Sequence, residues 1–457
     1  MLLWTVWRPG GRPMDLVWES AKTPLVLLGL WMALLAVQLF PLPEAFINML
    51  DHRAANGFGI QEGGRATISI DPYSTRLYLA KTCILSAVFW LVIALVNSRR
   101  RIVLLAKVVV FSGLLQALIG VVVMASGATF QLFFVTIESA RAHATFVSPN
   151  HYAGYMELTL AMGVGLMIAK LDGRLALNWR QRLHGWLAVL LSGKAMLRLS
   201  LIIMVVGLVA SRSRGGNSAF FASLLIIGVL TVILVKRAPV KKSQPANMMR
   251  STILFITSLI VLDVFIIGGM VGVEKVVQRI ENTNLQAQSA QVQFQEEPSK
   301  DAQLSVKPKP VQVHHYEQSV EERGEAAIPS LQIVRDFPWL GTGGGTFHLA
   351  FSHYRPADVH GFYDHPHNDY VEFASEAGLL GLMLLAALVV HSAWQSVTLL
   401  VHGRDQLARG MAFASLMGVT SLLIHATVDF NFQNPANAML FMIFLSLPYS
   451  IETLSKR

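Results

Sequence analysis

Long apolar runs separated by short polar clusters dominate this chain. A helix that crosses a bilayer needs about 20 predominantly apolar residues. Ten runs meet or approach that length, which predicts an all-α integral membrane protein with about ten transmembrane helices. The predicted spans are 25–41, 77–97, 102–126, 151–169, 197–214, 217–235, 251–272, 371–401, 410–428 and 436–451.

One apolar stretch, 184–214, is interrupted by Lys194 and Arg198. Charged side chains near the middle of a membrane are costly. We therefore predict an amphipathic helix on the membrane surface over roughly 179–196, followed by the short span 197–214. The number of helices in this part of the chain stays open.

A large polar segment, 273–370, separates seven predicted spans from the last three. It divides the chain into an N-terminal membrane region, 1–272, this outer loop, and a C-terminal membrane region, 371–457. Residues 284–312 are rich in Gln, Glu, Lys and Pro and hold few large apolar side chains. Such a segment cannot bury enough surface to offset the entropy of ordering, so we predict that it is disordered.

The second half of the outer loop has more regular patterns. Helical spacing over 317–334 predicts a helix, and the Pro, Thr and Gly residues of 337–345 predict a turn-rich connection. A histidine-rich segment then leads into the last membrane region.

Composition and charge agree with a membrane protein. The chain is 53% hydrophobic and 14% charged, with a mean hydropathy of +0.49, whereas a soluble protein of this length would need more polar surface. The formal charge of +9 does not indicate nucleic-acid binding, because the basic residues form short clusters between apolar runs. By the positive-inside rule these clusters and both termini lie in the cytoplasm, and the loops 42–76, 127–150, 273–370 and 429–435 face outward. The clusters are 99–101, 170–182, 236–242 and 404–409.

The cysteine content and the N-terminal residues exclude two further features. The single cysteine, Cys83, excludes a disulfide framework and a cysteine-based zinc site. The first 23 residues lack a short apolar run followed by a cleavage site, so we predict no signal peptide.

Candidate chemistry lies where the outer loop meets the span 371–401. His365 and His367 flank a proline, and Asn368 follows. A neutral imidazole there could accept a hydroxyl proton from a substrate held between lipid and water. The alternative is a histidine that only caps the following helix. The four histidines within 353–367 give weak support to a metal site, because no HExxH spacing and no cysteine ligands accompany them, and we predict neither a metal nor a cofactor.

Arginines at an outer boundary form the second candidate group. Arg212 and Arg214 lie among Ser and Gly residues at the predicted outer end of a span. Guanidinium groups bind phosphate oxygens bidentately, which favours anion binding over side chains that only extend to the membrane surface. Arg279 and Arg323 are further candidates in the outer loop.

Other polar or small residues have structural interpretations. Gly378 and Gly381 lie one turn apart and are predicted to permit close helix packing. The segment 429–432, Asp-Phe-Asn-Phe, is interpreted as helix-end polarity, with lining of the same cavity as the weaker alternative. Glu157 and Asp263, each within a predicted span, are interpreted as structural.

Several motifs together resemble the O-antigen ligase and Wzy-type polymerase superfamily of bacterial membrane glycan transferases. The family pattern is His, then Asn, Ser or Gln, then nine residues and Gly-x-x-Gly, and His367, Asn368, Gly378 and Gly381 fit it. Segments 149–154, 213–216 and 336–343 look similar to other motifs of that family.

The resemblance implies a GT-C-like fold in which the long periplasmic loop caps a lipid-facing cavity. It implies a polyprenyl-diphosphate-linked glycan donor, inversion at the anomeric carbon and no metal. His367 matches the catalytic histidine, Arg214 the arginine in the span and Arg323 the loop arginine. We predict substrate-binding roles for Asn368, Arg212, Arg279 and His365.

The sequence therefore favours an O-antigen ligase-like glycosyltransferase in the bacterial inner membrane. Its expected partners are the lipid-linked donor, a glycan, lipid or protein acceptor, and membrane lipid. A Wzy-type O-antigen or exopolysaccharide polymerase stays open, since 429–431 resembles a branch common among exopolysaccharide proteins. A polysaccharide or ion transporter is a third alternative, although no symmetric pair of broken helices is visible.

Overall fold

The computed structural model describes residues 13–43, 60–61, 65–126, 130–132, 135–137, 141–170, 193–237, 320–357, 359, 363–403 and 405–455. Two predicted elements, the span 251–272 and the disordered insert 284–312, lie outside the described residues. The same is true of most of the surface helix predicted over 179–196.

Helices account for most of the described chain. In chain order they are α1 (Pro13–Gln38), α2 (Pro72–Leu95), α3 (Arg99–Ser126), α4 (Pro149–Ala169), α5 (Gly193–Ala210), α6 (Arg214–Arg237), α7 (Val320–Asp336), α8 (Phe347–Tyr354), α9 (Asp369–His402), α10 (Gln406–His425) and α11 (Pro435–Ser455). A single 3₁₀ turn, Asn431–Gln433, precedes α11.

Short strands occur in two segments that the sequence had placed outside the membrane. β1 (Leu42–Pro43), β2 (Ile60–Gln61) and β3 (Arg65–Ala66) form an antiparallel sheet with β3 in the middle. β4 (Phe130–Leu132) pairs with β5 (Val135–Ile137) as a hairpin. These strands are too short to alter the helical character of the fold.

Eight of the described helices are long and apolar enough to cross a membrane: α1, α2, α3, α4, α6, α9, α10 and α11. Within α5, the apolar stretch Ala195–Ala210 is shorter. The predicted all-α, multi-pass membrane fold is thereby confirmed. The total of ten spans stays a prediction, because one predicted span lies outside the described residues.

Local caps and turns move three predicted boundaries. α2 begins at Pro72 instead of residue 77, because Asp71 accepts a hydrogen bond from the Tyr73 amide and Pro72 suits the first helical position. The predicted span 197–214 was wrong at both ends, since α5 begins at Gly193 and ends at Ala210. A turn follows α5, and α6 then begins at Arg214.

The centre of the molecule is the packed pair α4 and α10. Nearly every residue of α4 is buried. At their crossing, a Cβ at Gly165 would collide with the Gly410 carbonyl oxygen, and a Cβ at Gly410 would collide with the Gly165 carbonyl oxygen. Small residues thus let the two backbones touch, as membrane helices often do. The remaining helices pack around this pair.

The helix α9 is bent at Gly378, which has φ +66° and ψ −179°. A loop of residues 338–345, which we call the glycine loop, packs into this bend. The Leu379 amide donates to the Pro338 carbonyl at 2.8 Å, and the Gly343 amide donates to the Glu376 carbonyl at 2.9 Å. Gly378 therefore breaks the helix, and the prediction that it serves close packing needs correction.

Gly381, one turn later, agrees better with the sequence interpretation. A Cβ there would lie 2.8 Å from Cζ3 of Trp31 on α1. The absence of a side chain therefore lets α9 pack closely on α1.

Candidate functional site

Asn368 precedes α9 and is its N-cap. Its side-chain oxygen accepts hydrogen bonds from the Tyr370 amide at 3.0 Å and the Val371 amide at 3.1 Å. Its Nδ2 donates to the Thr427 carbonyl at 3.0 Å, which ties the start of α9 to the end of α10. The capping role considered for a histidine thus belongs to Asn368. That Asn368 also binds substrate stays a prediction.

His367 has an unusual backbone conformation immediately before this cap. Its φ is +53°, in the left-handed region that residues other than glycine rarely occupy. Its Nδ1 lies 3.7 Å from Oδ1 of the buried Asp429. Strained backbone of this kind persists where the surroundings hold it, and it often accompanies functional sites. The geometry fits an imidazole held in one orientation beside a carboxylate.

Three imidazole rings surround Phe430, and we call these four residues the histidine cluster. The ring of His365 stacks on Phe430 with 4.4 Å between centroids and an interplanar angle of 27°. His151 and His367 meet the phenyl ring edge-on, at 4.7 Å and 5.0 Å. One aromatic side chain therefore sets the positions of imidazoles from two separate segments, the start of α4 and the stretch that leads into α9.

His365 is also fixed from its other side. Its Nδ1 lies 2.8 Å from Oε1 of Glu372, a residue of α9 that is 1% exposed. Burial lowers the pKa of His365 below its ordinary value. Its ring is therefore neutral near pH 7, the form that can accept a proton.

Buried polar groups support the segment that carries Phe430. Lys81 of α2 donates to the Gln433 side-chain oxygen at 2.9 Å and to the Gln433 carbonyl at 3.2 Å. Oδ2 of Asp369 accepts from the Phe432 amide at 3.2 Å. These bonds tie the 3₁₀ turn to α2 and α9, which holds Phe430 in place among the histidines.

The arginine motif forms the turn between α5 and α6. Arg214 is the first residue of α6, and Arg212 has φ +51°; both side chains are exposed. The Gly216 amide donates to the Ser213 hydroxyl at 3.2 Å, which closes the turn. A Cβ at Gly215 would lie 2.9 Å from the His425 ring. The glycines thus let this turn rest directly on the end of α10.

The histidine and arginine motifs share one support, the segment 425–429. Gly215 packs on His425 and Val428 of that segment. From the other side, the Asp369 amide donates to the Ala426 carbonyl at 3.0 Å. Asp429 and Phe430 then lead straight into the histidine cluster. The fold therefore brings two motifs that are far apart in sequence to the same end of α10.

Arg141 is a further guanidinium at this place, and the sequence interpretation missed it. Its Nε donates to the Ser211 carbonyl at 2.8 Å, and its Nη2 donates to the Asn150 side-chain oxygen at 3.4 Å. It links the arginine turn to the start of α4, next to His151. The available signal was a single arginine in the predicted outer loop 127–150.

Glu157 has buried partners that sequence alone did not show. Its Oε1 lies 2.7 Å from Nδ1 of His425, and its Oε2 accepts from the Ser421 hydroxyl at 2.6 Å. All three side chains are fully buried. The network joins α4 to the end of α10 just beneath the arginine turn, in line with the structural role predicted for Glu157.

An apolar groove lies beside the histidine cluster, between α1, α2, α9 and α11. It has a volume of about 450 Å³. Leu, Val, Phe and Met side chains form most of its wall, and Lys81, Asp369 and Tyr370 lie among the polar residues that line it. Asp369 and Tyr370 directly follow His367 and Asn368 in the chain, so one part of the groove lies next to the candidate site.

Residues 199–386 match the family model described as O-antigen ligase. The match confirms, over this part of the chain, the predicted resemblance to the O-antigen ligase and Wzy-type polymerase superfamily. The matched range contains the arginine turn, the glycine loop and the segment from His365 to Gly381. A comparison with curated proteins found no match. Together with the eight apolar helices, the match supports a multi-pass membrane enzyme of the glycan ligase and polymerase type.

Some of the predicted site residues lie outside the part of the chain that the structure describes. Arg279 and Asp263 lie outside the described residues. Arg323 lies at the beginning of α7, and its side chain is also outside the described part. Across the described residues, no group of three or more His, Cys, Asp or Glu side chains is arranged to hold a metal ion. The predicted independence of a metal stays a prediction.

The superfamily motifs did not by themselves reveal the histidine cluster. His151 was noted only as part of a motif, and Phe430 was interpreted mainly as helix-end polarity. Both lie at predicted outer ends of spans, which was the available signal. Their contact depends on how α4 and α10 pack, and this packing cannot be derived from either segment alone.

Proposed function

We propose that this protein is a membrane glycosyltransferase that moves a glycan from a polyprenyl-diphosphate donor to an acceptor hydroxyl. The proposed place is the periplasmic face of a bacterial inner membrane, with both termini in the cytoplasm. The observation that carries the proposal is the strained backbone of His367, beside Asp429, at the end of α10 that also supports the arginine turn.

In the proposed reaction, the acceptor hydroxyl oxygen attacks C1 of the reducing-end sugar. A bond forms between that oxygen and C1, while the bond from C1 to the phosphate oxygen breaks, with inversion at C1. The hydroxyl proton passes to the imidazole of His367, and the diphosphate leaves with the bonding electron pair. Asp429, 3.7 Å from the ring, stabilises the imidazolium that forms.

Arg214 and Arg323 are proposed to stabilise the negative charge on the leaving diphosphate. Arginine stays protonated at any relevant pH and binds phosphate oxygens in pairs. Such fixed charges can supply several kcal/mol in a partly dry site. In this proposal the arginines do the work of the divalent cation in many nucleotide-sugar enzymes. Arg212 and Arg279 are proposed as further donor contacts, and Asn368 and His365 as contacts to the sugars.

The groove supports a donor that carries a lipid. Its walls are apolar, and it lies between membrane-spanning helices. Its polar end includes Asp369 and Tyr370, which directly follow His367 and Asn368 in the chain. A polyprenyl chain in the groove would leave its diphosphate near the proposed catalytic residues.

The decisive test is transfer in vitro from a lipid-linked oligosaccharide by purified variants. His367→Ala is expected to lower the transfer rate by about 100-fold or more, the usual size of a lost general base. Arg214→Ala and Arg323→Ala should also lower it strongly. His402→Ala, which changes an exposed histidine at the other end of α9, should transfer normally. Normal transfer by His367→Ala and Arg323→Ala at normal expression would refute the assignment.

A ligase and a polymerase would use the same chemistry and would differ in the acceptor that receives the glycan. We favour a ligase-like reaction. The polymerase alternative, for O-antigen or exopolysaccharide, draws on Phe430 and its neighbours, which resemble an exopolysaccharide branch and lie inside the histidine cluster. Gel profiles of the glycan in a deletion strain separate the two, since loss of chain length differs from loss of attachment.

A further inference from the structure

The helix α7 has a buried apolar face and, opposite it, two exposed apolar residues. One face is buried: Ala326, Ile333 and the following Phe337 form a small core with Phe347, Ala350 and Phe351. Tyr354 also donates to Asp336 at 2.9 Å. These contacts attach α7 firmly to α8. A helix held in this way on the water side of a protein usually presents polar residues on its opposite face.

The opposite face of α7 does not follow that rule. Ile328 is 71% exposed, Leu331 is 45% exposed, and Trp339, just beyond the helix, is 61% exposed. Arg335 lies on the same side, in the last turn. Among the described residues, nothing covers these apolar side chains. Exposed apolar groups close to a tryptophan and an arginine are typical of helices at a membrane interface.

The position of Trp339 links this face to the membrane. Its carbonyl accepts from the Leu380 amide at 3.4 Å, at the bend of α9. Before the bend α9 is mostly buried, whereas Leu379, Leu380 and Met383 after it are exposed. The 24 residues from 379 to 402 are long enough to cross a bilayer without the first segment. The bend therefore marks the outer end of the lipid-exposed surface, and Trp339 lies against it.

From these observations we propose that α7 lies in the interface of the outer leaflet, with Ile328, Leu331 and Trp339 on lipid. The exposed face of α7 and the lipid-exposed stripe of α9 then form one continuous apolar surface. Arg335 would meet lipid phosphates at the edge of that surface. The inference does not depend on the proposed transfer reaction.

This placement has a consequence for the candidate site. Arg323 belongs to the beginning of α7, and the glycine loop at its other end is bound to α9. A helix held against the outer leaflet would keep Arg323 at the depth of lipid phosphates. The diphosphate of a lipid-linked donor lies at that same depth. Membrane lipid would thus help to set the position of the proposed loop arginine.

Spin labels can measure the depth of α7 directly. The chain has one cysteine, Cys83, so a Cys83→Ser background allows single labels through Ile328→Cys, Leu331→Cys and Ser352→Cys. The first two replace exposed residues of the proposed lipid face, and Ser352 is an exposed polar residue of α8. The full-length protein is placed in nanodiscs of phosphatidylethanolamine and phosphatidylglycerol. Collision with oxygen reports lipid, and collision with a nickel chelate reports water.

We expect labels at 328 and 331 to collide with oxygen severalfold more, relative to the nickel chelate, than the label at 352. Equal ratios at all three sites would place the face in water and overturn the proposal. Low collision with both reagents would show that another part of the chain covers it, which also overturns the proposal. Short distances between labels on two copies, measured by pulsed dipolar spectroscopy, would reassign the face to a dimer.

Discussion

Gln38 at the bend of α9 and the imidazoles of the histidine cluster differ in how they are hydrogen-bonded. At the bend, Gln38 donates to the Leu340 carbonyl at 2.6 Å and to the Glu376 carbonyl at 2.9 Å, and it accepts from the Gly344 amide at 3.1 Å. In the histidine cluster, Nδ1 of His367 and Nε2 of His151 have no hydrogen-bond partner among the described residues.

This difference contrasts a rigid support with a cluster that we propose to be reactive. Buried polar atoms are nearly always hydrogen-bonded, so the bonds of Gln38 are those of a rigid support. Imidazole nitrogens left without hydrogen bonds beside a strained backbone carry a cost that ordinary packing would avoid. The glycine loop holds α9 in place, and in our proposal the histidine cluster lies where the substrate binds.

The largest expected effect is on the structural side, at Gly378. Its φ and ψ fall in a region that only glycine occupies readily, and a Cβ would collide with the Trp339 carbonyl. Gly378→Ala should therefore lower the free energy of unfolding by about 2 kcal/mol or more, measured by thermal unfolding in detergent. Gly29→Ala is the matched control, because nothing lies within 4 Å of a Cβ there. Equal melting temperatures for both variants would contradict the rigid bend.

A smaller effect is expected from Phe430, where activity should change more than stability. Phe430→Leu removes the ring that positions three imidazoles, and misplacement of about 1 Å can cost up to about 100-fold in rate. We expect the transfer rate to fall by about tenfold or more while the melting temperature stays close to that of wild type. Phe221→Leu, which removes an edge-on contact with Phe220, is the control and should transfer normally. A normal rate for Phe430→Leu would mean that the cluster is structural as well.

The smallest expected effect is a pH dependence that comes from His365. Burial lowers its pKa below the ordinary value of 6.5, so below that pH the unfolded chain binds more protons than the folded protein. Stability should therefore fall as the pH drops below about 6.5. His365→Gln should flatten the curve of melting temperature against pH between about pH 7 and pH 5. Parallel curves for variant and wild type would contradict burial of a neutral imidazole.

Periodic and local features were predictable from sequence because they depend on neighbouring residues. The described spans were found from apolar length alone, and the glycine loop from its turn-forming residues. The predicted span 197–214 and the predicted role of Gly378 were wrong for the same reason. At both places the helical backbone is interrupted within a segment that the sequence pattern presents as one helix. A hydrophobic run indicates which residues contact lipid or the protein core. It does not indicate where the backbone changes direction.

The sequence by itself determined the membrane class, the outward placement expected for the polar motifs, and the His-Asn and Ser-Arg-Gly-Gly segments that indicate the superfamily. Only the tertiary structure decided which polar groups meet. His151, Phe430 and His365 come together because α4, α10 and the start of α9 converge at one end of the bundle. Arg141 joins the arginine turn, and Glu157 joins His425, for the same reason. Contacts between segments more than 60 residues apart depend on helix packing, and the pattern within any single helix contains no information about its partner.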